Sequence, residues 1–160
     1  MQRTFTGRFD VIQNFYVVNS AEELSASDPA FCLSYLAHSM LFVNNLSQNG
    51  SHEQKLKYLP DACSGRTIGG MGMSEPGAGT DVLGMATTAV PSSDGSRFLI
   101  NGSKMWITNG TLTGIDTGDI YIIYAKTSPV RGGLTSFLGA FSVIMLLPSH
   151  YLYLTYCPDY

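Results

Sequence analysis

The sequence of 160 residues has few charged side chains and no cluster of basic ones. Charged residues make up 13% of the chain, and the formal net charge is −3. A nucleic-acid-binding surface needs grouped lysine and arginine side chains to neutralise phosphates, and the sequence has no such group. The charge pattern therefore predicts no nucleic-acid partner.

Cysteine and histidine are also scarce, with three of each. Metal sites and disulfide frameworks use these residues at characteristic short spacings, which are absent here. The sequence therefore predicts no metal site, and the cysteines are interpreted as free thiols in a reducing compartment. The residues concerned are Cys32, Cys63, Cys157, His38, His52 and His150.

The first twenty residues contain Arg3 and Arg8, with no acidic residue before Asp10. A mitochondrial presequence can have this composition, but the segment has no amphipathic period and no apolar run long enough for a secretory signal. This segment alone predicts no location.

Helix signals follow from residue 20. Ser20 with Glu23 fits a capping box, and Asp28-Pro29 fits an N-cap followed by proline at the first helical position. Apolar residues then recur at spacings near three and four, which predicts one buried helix face. That face consists of Phe31, Tyr35, Leu36, Met40, Leu41, Val43 and Leu46.

A further short helix is predicted after Asn49-Gly50. Ser51 with Gln54 forms a second capping box, and the helix is expected to end near Tyr58, before Pro60. His38 lies in the preceding helical stretch. It is either a polar group satisfied between packed helices or a ligand, and the first interpretation is favoured.

From residue 67 the pattern becomes that of strands joined by turns, without intervening helices. Asn101-Gly102 predicts a two-residue hairpin turn. This arrangement indicates an antiparallel meander or barrel, so the predicted fold class is α+β, with N-terminal helices followed by an antiparallel β-barrel-like domain. The predicted strands are 67–74, 83–90, 97–100, 104–108, 120–126 and 134–138.

The tail, residues 139–160, is strongly apolar. Counted from Leu134, the apolar stretch reaches the length of a membrane span, but Pro148-Ser149-His150 interrupts it and no charges flank it. A strand-prone tail is the favoured interpretation, and a membrane-associated tail is the alternative.

Two segments carry the functional signal. In the first, 72–81, glycines let the backbone approach a ligand closely. A nucleotide-hydrolase loop would have a lysine after the glycines, and a dinucleotide-binding fold would continue as a helix, but neither feature follows Asp81. The second segment, 104–110, carries the only tryptophan, Trp106. Taken alone, the first segment is explained about as well by a structural turn as by a ligand loop, and Trp106 is more often a core residue than a cofactor contact.

Together the two segments resemble signatures of the acyl-CoA dehydrogenases, flavoproteins that use FAD. The resemblance is carried by 72–84 (GMSEPGAGTDVLG) and 102–110 (GSKMWITNG). Upstream, 33–39 (LSYLAHS), Asn44, 49–50 (NG), 54–55 (QK) and 57–60 (KYLP) are similar to the branch that acts on isovaleryl-CoA.

The resemblance divides the chain into four parts. Residues 1–20 are a divergent N-terminal segment and residues 21–66 a partial N-terminal helical domain. Residues 67–138 are the middle β domain that forms one wall of the flavin site, and 139–160 are a divergent apolar tail.

The resemblance also implies which residues bind the cofactor. Ser74 is expected near the pyrimidine edge of the flavin, Thr80 at the acyl-CoA or pyrophosphate end of the loop, and Thr108 towards flavin N5. Glu75 is not the family's catalytic base, which belongs to a C-terminal helical domain, so no catalytic residue is assigned. The implied cofactor-binding residues are Met71, Gly72, Met73, Ser74, Glu75, Pro76, Gly77, Ala78, Gly79, Thr80, Trp106, Ile107 and Thr108, with Thr80 also binding substrate.

By the same resemblance, the expected reaction is α,β-dehydrogenation of a short branched acyl-CoA in leucine catabolism. Electrons would pass from FAD to an electron-transfer flavoprotein, in a homotetramer of the mitochondrial matrix. Because the base is not matched, the sequence is interpreted as a fragment whose own activity is doubtful. The alternative is a non-catalytic truncated product whose β domain only packs or binds a partner.

Overall fold

The computed structural model describes residues 6–95, 98–110, 119–131, 133–139, 142–146 and 151–155. The chain forms two compact units, Met1–Leu36 and Ala37–Tyr160.

The first unit is a pair of helices, α1 (Thr6–Ser27) and α2 (Pro29–Leu36). Asp28 separates them and caps α2 as predicted, because its Oδ1 accepts hydrogen bonds from the backbone N–H groups of Ala30 (2.9 Å) and Phe31 (3.0 Å). The predicted helix start at Ser20 was wrong, since Ser20 lies inside α1. No glycine or proline interrupts residues 8–27, so nothing in the local sequence ends the helix before that point.

Three helical segments open the second unit. A π-helical stretch (Ala37–Asn44) leads into α3 (Asn45–Asn49), and α4 (His52–Cys63) follows. The capping box of α4 is confirmed: Gln54 N–H donates to Ser51 Oγ (3.2 Å), and Ser51 N–H donates to Gln54 Oε1 (2.9 Å).

The predicted end of α4 near Tyr58 was wrong, because the helix continues through Pro60 to Cys63. A proline inside a helix removes one backbone hydrogen bond. Here Leu59 and the buried Ala62 pack against an apolar cluster, and this contact holds the last turn in place. Tertiary packing thus overrides the local stop signal.

The main sheet has five strands and is mixed: β1 (Gly69–Gly72), β2 (Thr88–Pro91), β3 (Phe98–Asn101), β5 (Ile120–Lys126) and β6 (Leu134–Gly139). Strand β5 lies at its centre. It pairs antiparallel with β6, parallel with β1 (Gly69↔Ile120 to Gly72↔Ile123) and parallel with β2 at Thr88↔Lys126. The α+β class is confirmed, whereas the strictly antiparallel arrangement was wrong.

A second sheet has the strand order β4-β8-β7, where β4 is Ser103–Lys104, β7 is Ser142–Leu146 and β8 is Tyr151–Thr155. The hairpin predicted at Asn101-Gly102 does not form, because β3 pairs with β2 and β4 with β8. A Cβ atom at Gly102 would lie 2.6 Å from Thr87 Cα, so this glycine permits a close backbone approach where the chain changes sheets.

The strand-prone interpretation of the tail is confirmed for β7 and β8. Within the described part of the chain, no helix has both the length and the apolar character needed to cross a bilayer.

Two apolar clusters cover the opposite faces of β5, whose residues alternate between them. This double burial explains why β5 is apolar throughout instead of alternating with polar residues. The first cluster contains Ala89, Ile100, Tyr121, Ile123 and Ala125, and the second contains Phe42, Leu46, Ala62, Ile120 and Ile122.

Candidate functional site

The first signature segment leaves the sheet where β1 ends, at Gly72, and returns at the start of β2. Its tightest point is a reciprocal pair of backbone hydrogen bonds between Glu75 and Ala78, 2.9 and 3.1 Å long. Pro76 and Gly77 occupy the two turn positions between them and are exposed. The expected glycine loop is thus a tight turn set between two strands of the sheet.

The Glu75 side chain is buried beneath this turn. One carboxylate oxygen, Oε1, accepts hydrogen bonds from Lys104 Nζ (2.8 Å) and from Thr87 N–H (3.0 Å), and Oε2 accepts one from Ala86 N–H. Lys104 itself is completely buried. Glu75 therefore holds the beginning and the end of the excursion between β1 and β2 together.

Burial raises the pKa of the Glu75 carboxyl, but the hydrogen bonds from Lys104 and from the Ala86 and Thr87 backbone lower it by more, so the pKa lies below its usual value. Burial likewise lowers the pKa of Lys104, and the neighbouring Glu75 carboxylate offsets part of that effect. A carboxylate with a lowered pKa is poorly suited to act as a general base.

The second signature segment is fixed to the first and to the sheet. Met105 N–H donates to the Ser74 carbonyl (3.0 Å), which joins the two segments directly. The turn that follows is held by Asn109 Nδ2, which donates to Gly69 O (3.3 Å), and by Tyr121 Oη, which donates to Gly110 O (2.7 Å).

Trp106 is strained and exposed. Its φ of +57° lies in the left-handed region, which costs a bulky residue about 1–2 kcal/mol. The side chain is nevertheless 73% exposed, so packing within the described chain does not repay that strain. Strained backbone of this kind clusters at ligand sites.

Both segments contribute to one open pocket of about 120 Å³. Five of the implied cofactor residues line it: Met71, Met73, Ser74, Trp106 and Thr108. The hydroxyls of Ser74 and Thr108 form no hydrogen bond with any other described residue. The pocket thus combines an apolar wall with two hydroxyls available to a ligand.

The other implied residues lie outside this pocket. Gly72, Glu75 and Ala78 are buried behind it, and Ile107 packs against the first apolar cluster. Pro76, Gly77, Gly79 and Thr80 form an exposed rim.

The rim glycines differ from the buried ones. A Cβ atom at Gly72 would lie 2.6 Å from Ile123 Cδ1, so any larger residue there has to displace this buried side chain. At Gly77 and Gly79 a Cβ atom would meet nothing within 4 Å. Neither has a positive φ, so the described structure leaves room at both positions for a ligand to approach the backbone.

Four residues of the site were missed by the sequence reasoning: Ala37, Leu41 and Met105, which line the pocket, and Lys104. Ala37 and Leu41 reach the pocket from the π-helical stretch, and their spacing of four was a detectable signal of a shared face. Lys104 was treated only as part of a motif, although a lone lysine in an apolar segment was a signal of a buried ion pair. No carboxylate lines the pocket, and within the described residues no group of three or more potential ligands could hold a metal ion.

Comparison with known proteins agrees with this architecture. A family model described as "Acyl-CoA dehydrogenase, N-terminal domain" matches residues 11–66, and "Acyl-CoA dehydrogenase, middle domain" matches residues 70–140. The chain belongs to the acyl-CoA dehydrogenase family, whose members are oxidoreductases that bind FAD.

Particular relatives can be named. The chain is 45% identical over 121 residues to the mitochondrial isovaleryl-CoA dehydrogenase of Pongo abelii, covering 73% of this chain and 27% of that protein. It is similar to butyryl-CoA dehydrogenase from Megasphaera elsdenii, with a TM-score of 0.75, 32% identity, and coverage of 88% of this chain and 39% of that one. It also resembles an acyl-CoA dehydrogenase complexed with FAD from Bacillus anthracis, with a TM-score of 0.72, 28% identity, and coverage of 84% and 24%. The chain spans about a quarter of the length of the curated relatives it matches.

Proposed function

We propose that the pocket holds the flavin ring of FAD and that residues 71–80 and 106–108 form one wall of its site. The observation that supports this most strongly is the convergence of Ser74, Trp106 and Thr108 on one pocket, although they come from two separate segments. When bound, FAD supplies the two-electron acceptor for α,β-dehydrogenation of an acyl-CoA.

The residues present fit a flavin. Trp106 offers an exposed aromatic face to a planar ring, and the Ser74 and Thr108 hydroxyls offer hydrogen bonds to its polar atoms. With a volume of about 120 Å³ the open pocket is too small for the whole cofactor, so it takes only part of FAD. The rest of the ligand is then free to lie against the exposed rim, which includes Thr80, because the positions beside Gly77 and Gly79 are open.

The single tryptophan makes a direct test possible. In a titration of the purified chain with FAD, a flavin seated on Trp106 quenches all of the chain's tryptophan fluorescence and shifts the flavin absorption bands. If neither the quenching nor the absorption shift is seen at high FAD concentration, the proposal is wrong.

A matched pair of variants then locates the ligand. Thr108→Val removes a pocket hydroxyl without changing volume, and Thr88→Val makes the same change on an exposed position of β2. Losing one hydrogen bond costs about 0.5–1.5 kcal/mol, so Thr108→Val weakens FAD binding about 2- to 13-fold. Thr88→Val leaves the affinity unchanged, and equal effects from both variants would contradict the location.

For the whole protein we propose an isovaleryl-CoA type of activity, with a short branched acyl-CoA as substrate and an electron-transfer flavoprotein as electron acceptor. We further propose assembly as a homotetramer in the mitochondrial matrix. The support is the 45% identity to a mitochondrial isovaleryl-CoA dehydrogenase. The substrate preference is tested by comparing the turnover of isovaleryl-CoA with that of butyryl-CoA, using an artificial electron acceptor.

One observation favours the alternative of a non-catalytic β domain. None of the described residues that line the pocket is a carboxylate, so these residues can bind and orient a ligand but do not supply a carboxylate base for its α-proton. Loss of acid–base catalysis reduces the rate by about 10²–10⁴-fold. FAD binding without isovaleryl-CoA turnover is the result this alternative expects, and turnover above background would exclude it.

A further inference from the structure

Lys104 is buried more deeply than its ion pair explains. Its side chain is 0% exposed, and Nζ is 2.8 Å from Glu75 Oε1. A buried ion pair is weak evidence for stability, because desolvation offsets most of the attraction and apolar replacements of both partners are often neutral or stabilising. Burial of the pair is therefore compatible with a role beyond stability.

A second hydrogen bond made by Lys104 suggests that role. Nζ also donates a hydrogen bond to the carbonyl oxygen of Met73 (3.0 Å). That carbonyl belongs to the same peptide group as the N–H of Ser74. A charged donor on the oxygen draws electron density from the peptide group, and this polarises the N–H and makes it a stronger donor.

Ser74 is held where such a donor can be used. It lines the pocket, and its carbonyl is fixed by the hydrogen bond from Met105 N–H. Its own N–H has no acceptor among the described residues. The Met73–Ser74 peptide group is thus held at its carbonyl by Lys104, and the next peptide group is held at the Ser74 carbonyl by Met105, so the Ser74 N–H lies between two fixed points and remains available to a ligand.

We propose that Lys104 is a positioning residue of the flavin site, which acts through the Met73–Ser74 peptide group to hold and polarise the Ser74 N–H as a donor to the bound ring. The inference rests on the proposed function, since it requires FAD in this pocket.

The chemical consequence concerns reduced flavin. Two-electron reduction increases the electron density on the polar edge of the ring, so a polarised N–H stabilises the reduced form more than the oxidised form. A donor of this kind raises the reduction potential of the bound cofactor. A purely structural lysine would affect folding and would leave the potential of the bound flavin unchanged.

The test uses the double variant Glu75→Gln/Lys104→Met. It replaces the ion pair, whose net charge is zero, with two uncharged side chains, so no buried charge is left unpaired. The full-length chain is loaded with FAD, and the midpoint potential of the bound flavin is measured. We expect the affinity for reduced flavin to fall about tenfold more than that for oxidised flavin, a decrease of about 30 mV in potential. Ile100→Val, a truncation in the first apolar cluster, is the control that lowers stability without changing the potential.

The possible outcomes separate the two proposals. A wild-type chain that binds no FAD overturns both the proposed function and this inference. A double variant that binds FAD with the wild-type potential overturns the role of Lys104 and leaves the proposed function intact.

A second measurement needs only the wild-type chain and remains available if the double variant does not fold. In the ¹⁵N spectrum, the Ser74 amide proton resonance moves downfield on FAD addition, in step with the quenching of Trp106. A Ser74 amide that stays in place while Trp106 is quenched overturns the inference.

Discussion

Alanine substitutions at three glycines of the first segment distinguish a glycine that the packing of the fold favours from glycines that leave space for the ligand. At Gly72, the last residue of β1, an added methyl group would lie 2.6 Å from Ile123 Cδ1 and 3.1 Å from Ile107 Cδ1. Ile123 is completely buried, so it has little room to move. At Gly77 and Gly79 the methyl group meets open space.

These contacts give the expected magnitudes. Overpacking costs about 1–3 kcal/mol, and replacing glycine regains about 0.4–1 kcal/mol from the unfolded chain, so Gly72→Ala is destabilised by about 1–2 kcal/mol. For a chain of this length that lowers the melting temperature by about 2–8 °C. Gly77→Ala and Gly79→Ala keep or slightly raise the wild-type stability.

The effects on FAD affinity should follow the opposite order, with Gly77→Ala and Gly79→Ala weakening binding more than Gly72→Ala. A methyl group at Gly77 or Gly79 occupies space that the ligand is proposed to use, so FAD affinity falls about tenfold or more, equivalent to about 1.4 kcal/mol. Urea unfolding measures the stabilities, and the fluorescence of Trp106 measures the affinities. If Gly77→Ala and Gly79→Ala are as unstable as Gly72→Ala, the reasoning about open space is wrong, and if both bind FAD normally the rim does not contact the cofactor.

Three further predictions concern single contacts. Lys104→Met alone leaves the Glu75 carboxylate buried without its partner and lowers the free energy of unfolding by about 3–5 kcal/mol. Adding Glu75→Gln recovers most of this loss. Urea unfolding measures both variants, and a double variant as unstable as the single one would contradict the prediction. Because the pKa of Glu75 is lowered in the folded chain, its contribution to stability is complete above the unfolded value of 4.5 and is lost as the pH falls through the folded pKa. Thermal unfolding between pH 7 and pH 3 should therefore show a shallower acid loss for Glu75→Gln, and an unchanged slope would refute it. Ser51→Ala removes the N-cap of α4 and costs about 1 kcal/mol, with His52→Ala as the neighbouring control.

Local signals in the sequence predicted the features that short-range chemistry determines. The cap at Asp28 and the capping box of Ser51 with Gln54 were confirmed, because a side-chain oxygen and a nearby N–H group suffice to form them. The α+β class and the family were likewise predictable from the order of elements and the two signatures.

The errors arose where distant residues decide the structure. Pairing of β1 with β5 joins residues about fifty positions apart, and no local pattern reports whether such strands run parallel. Asn101-Gly102 has hairpin chemistry, but the close approach of Thr87 at Gly102 directs the chain to another sheet. The lone Lys104 signalled a buried ion pair, but its partner Glu75 could not be identified for the same reason, since the pair joins the two signatures through space.

Strands β1 and β2 lie end to end along the same side of β5, with Gly72 opposite Ile123 and Thr88 opposite Lys126. Residues 73–87, which include most of the first signature, are therefore a loop inserted into what is otherwise one continuous edge, and hydrogen bonds from Ala86 and Thr87 to the Glu75 carboxylate join its end to its beginning. Such a loop can open without breaking any rung of the sheet. We expect the opening of this loop to depend on its own contacts, which are the hydrogen bonds at Glu75 and those to the Met73 and Ser74 carbonyls, more than on the stability of the whole domain. A loop of different length and ligand specificity would fit between the same two strands, held by the same hydrogen bonds at Glu75, without changing the register of the sheet.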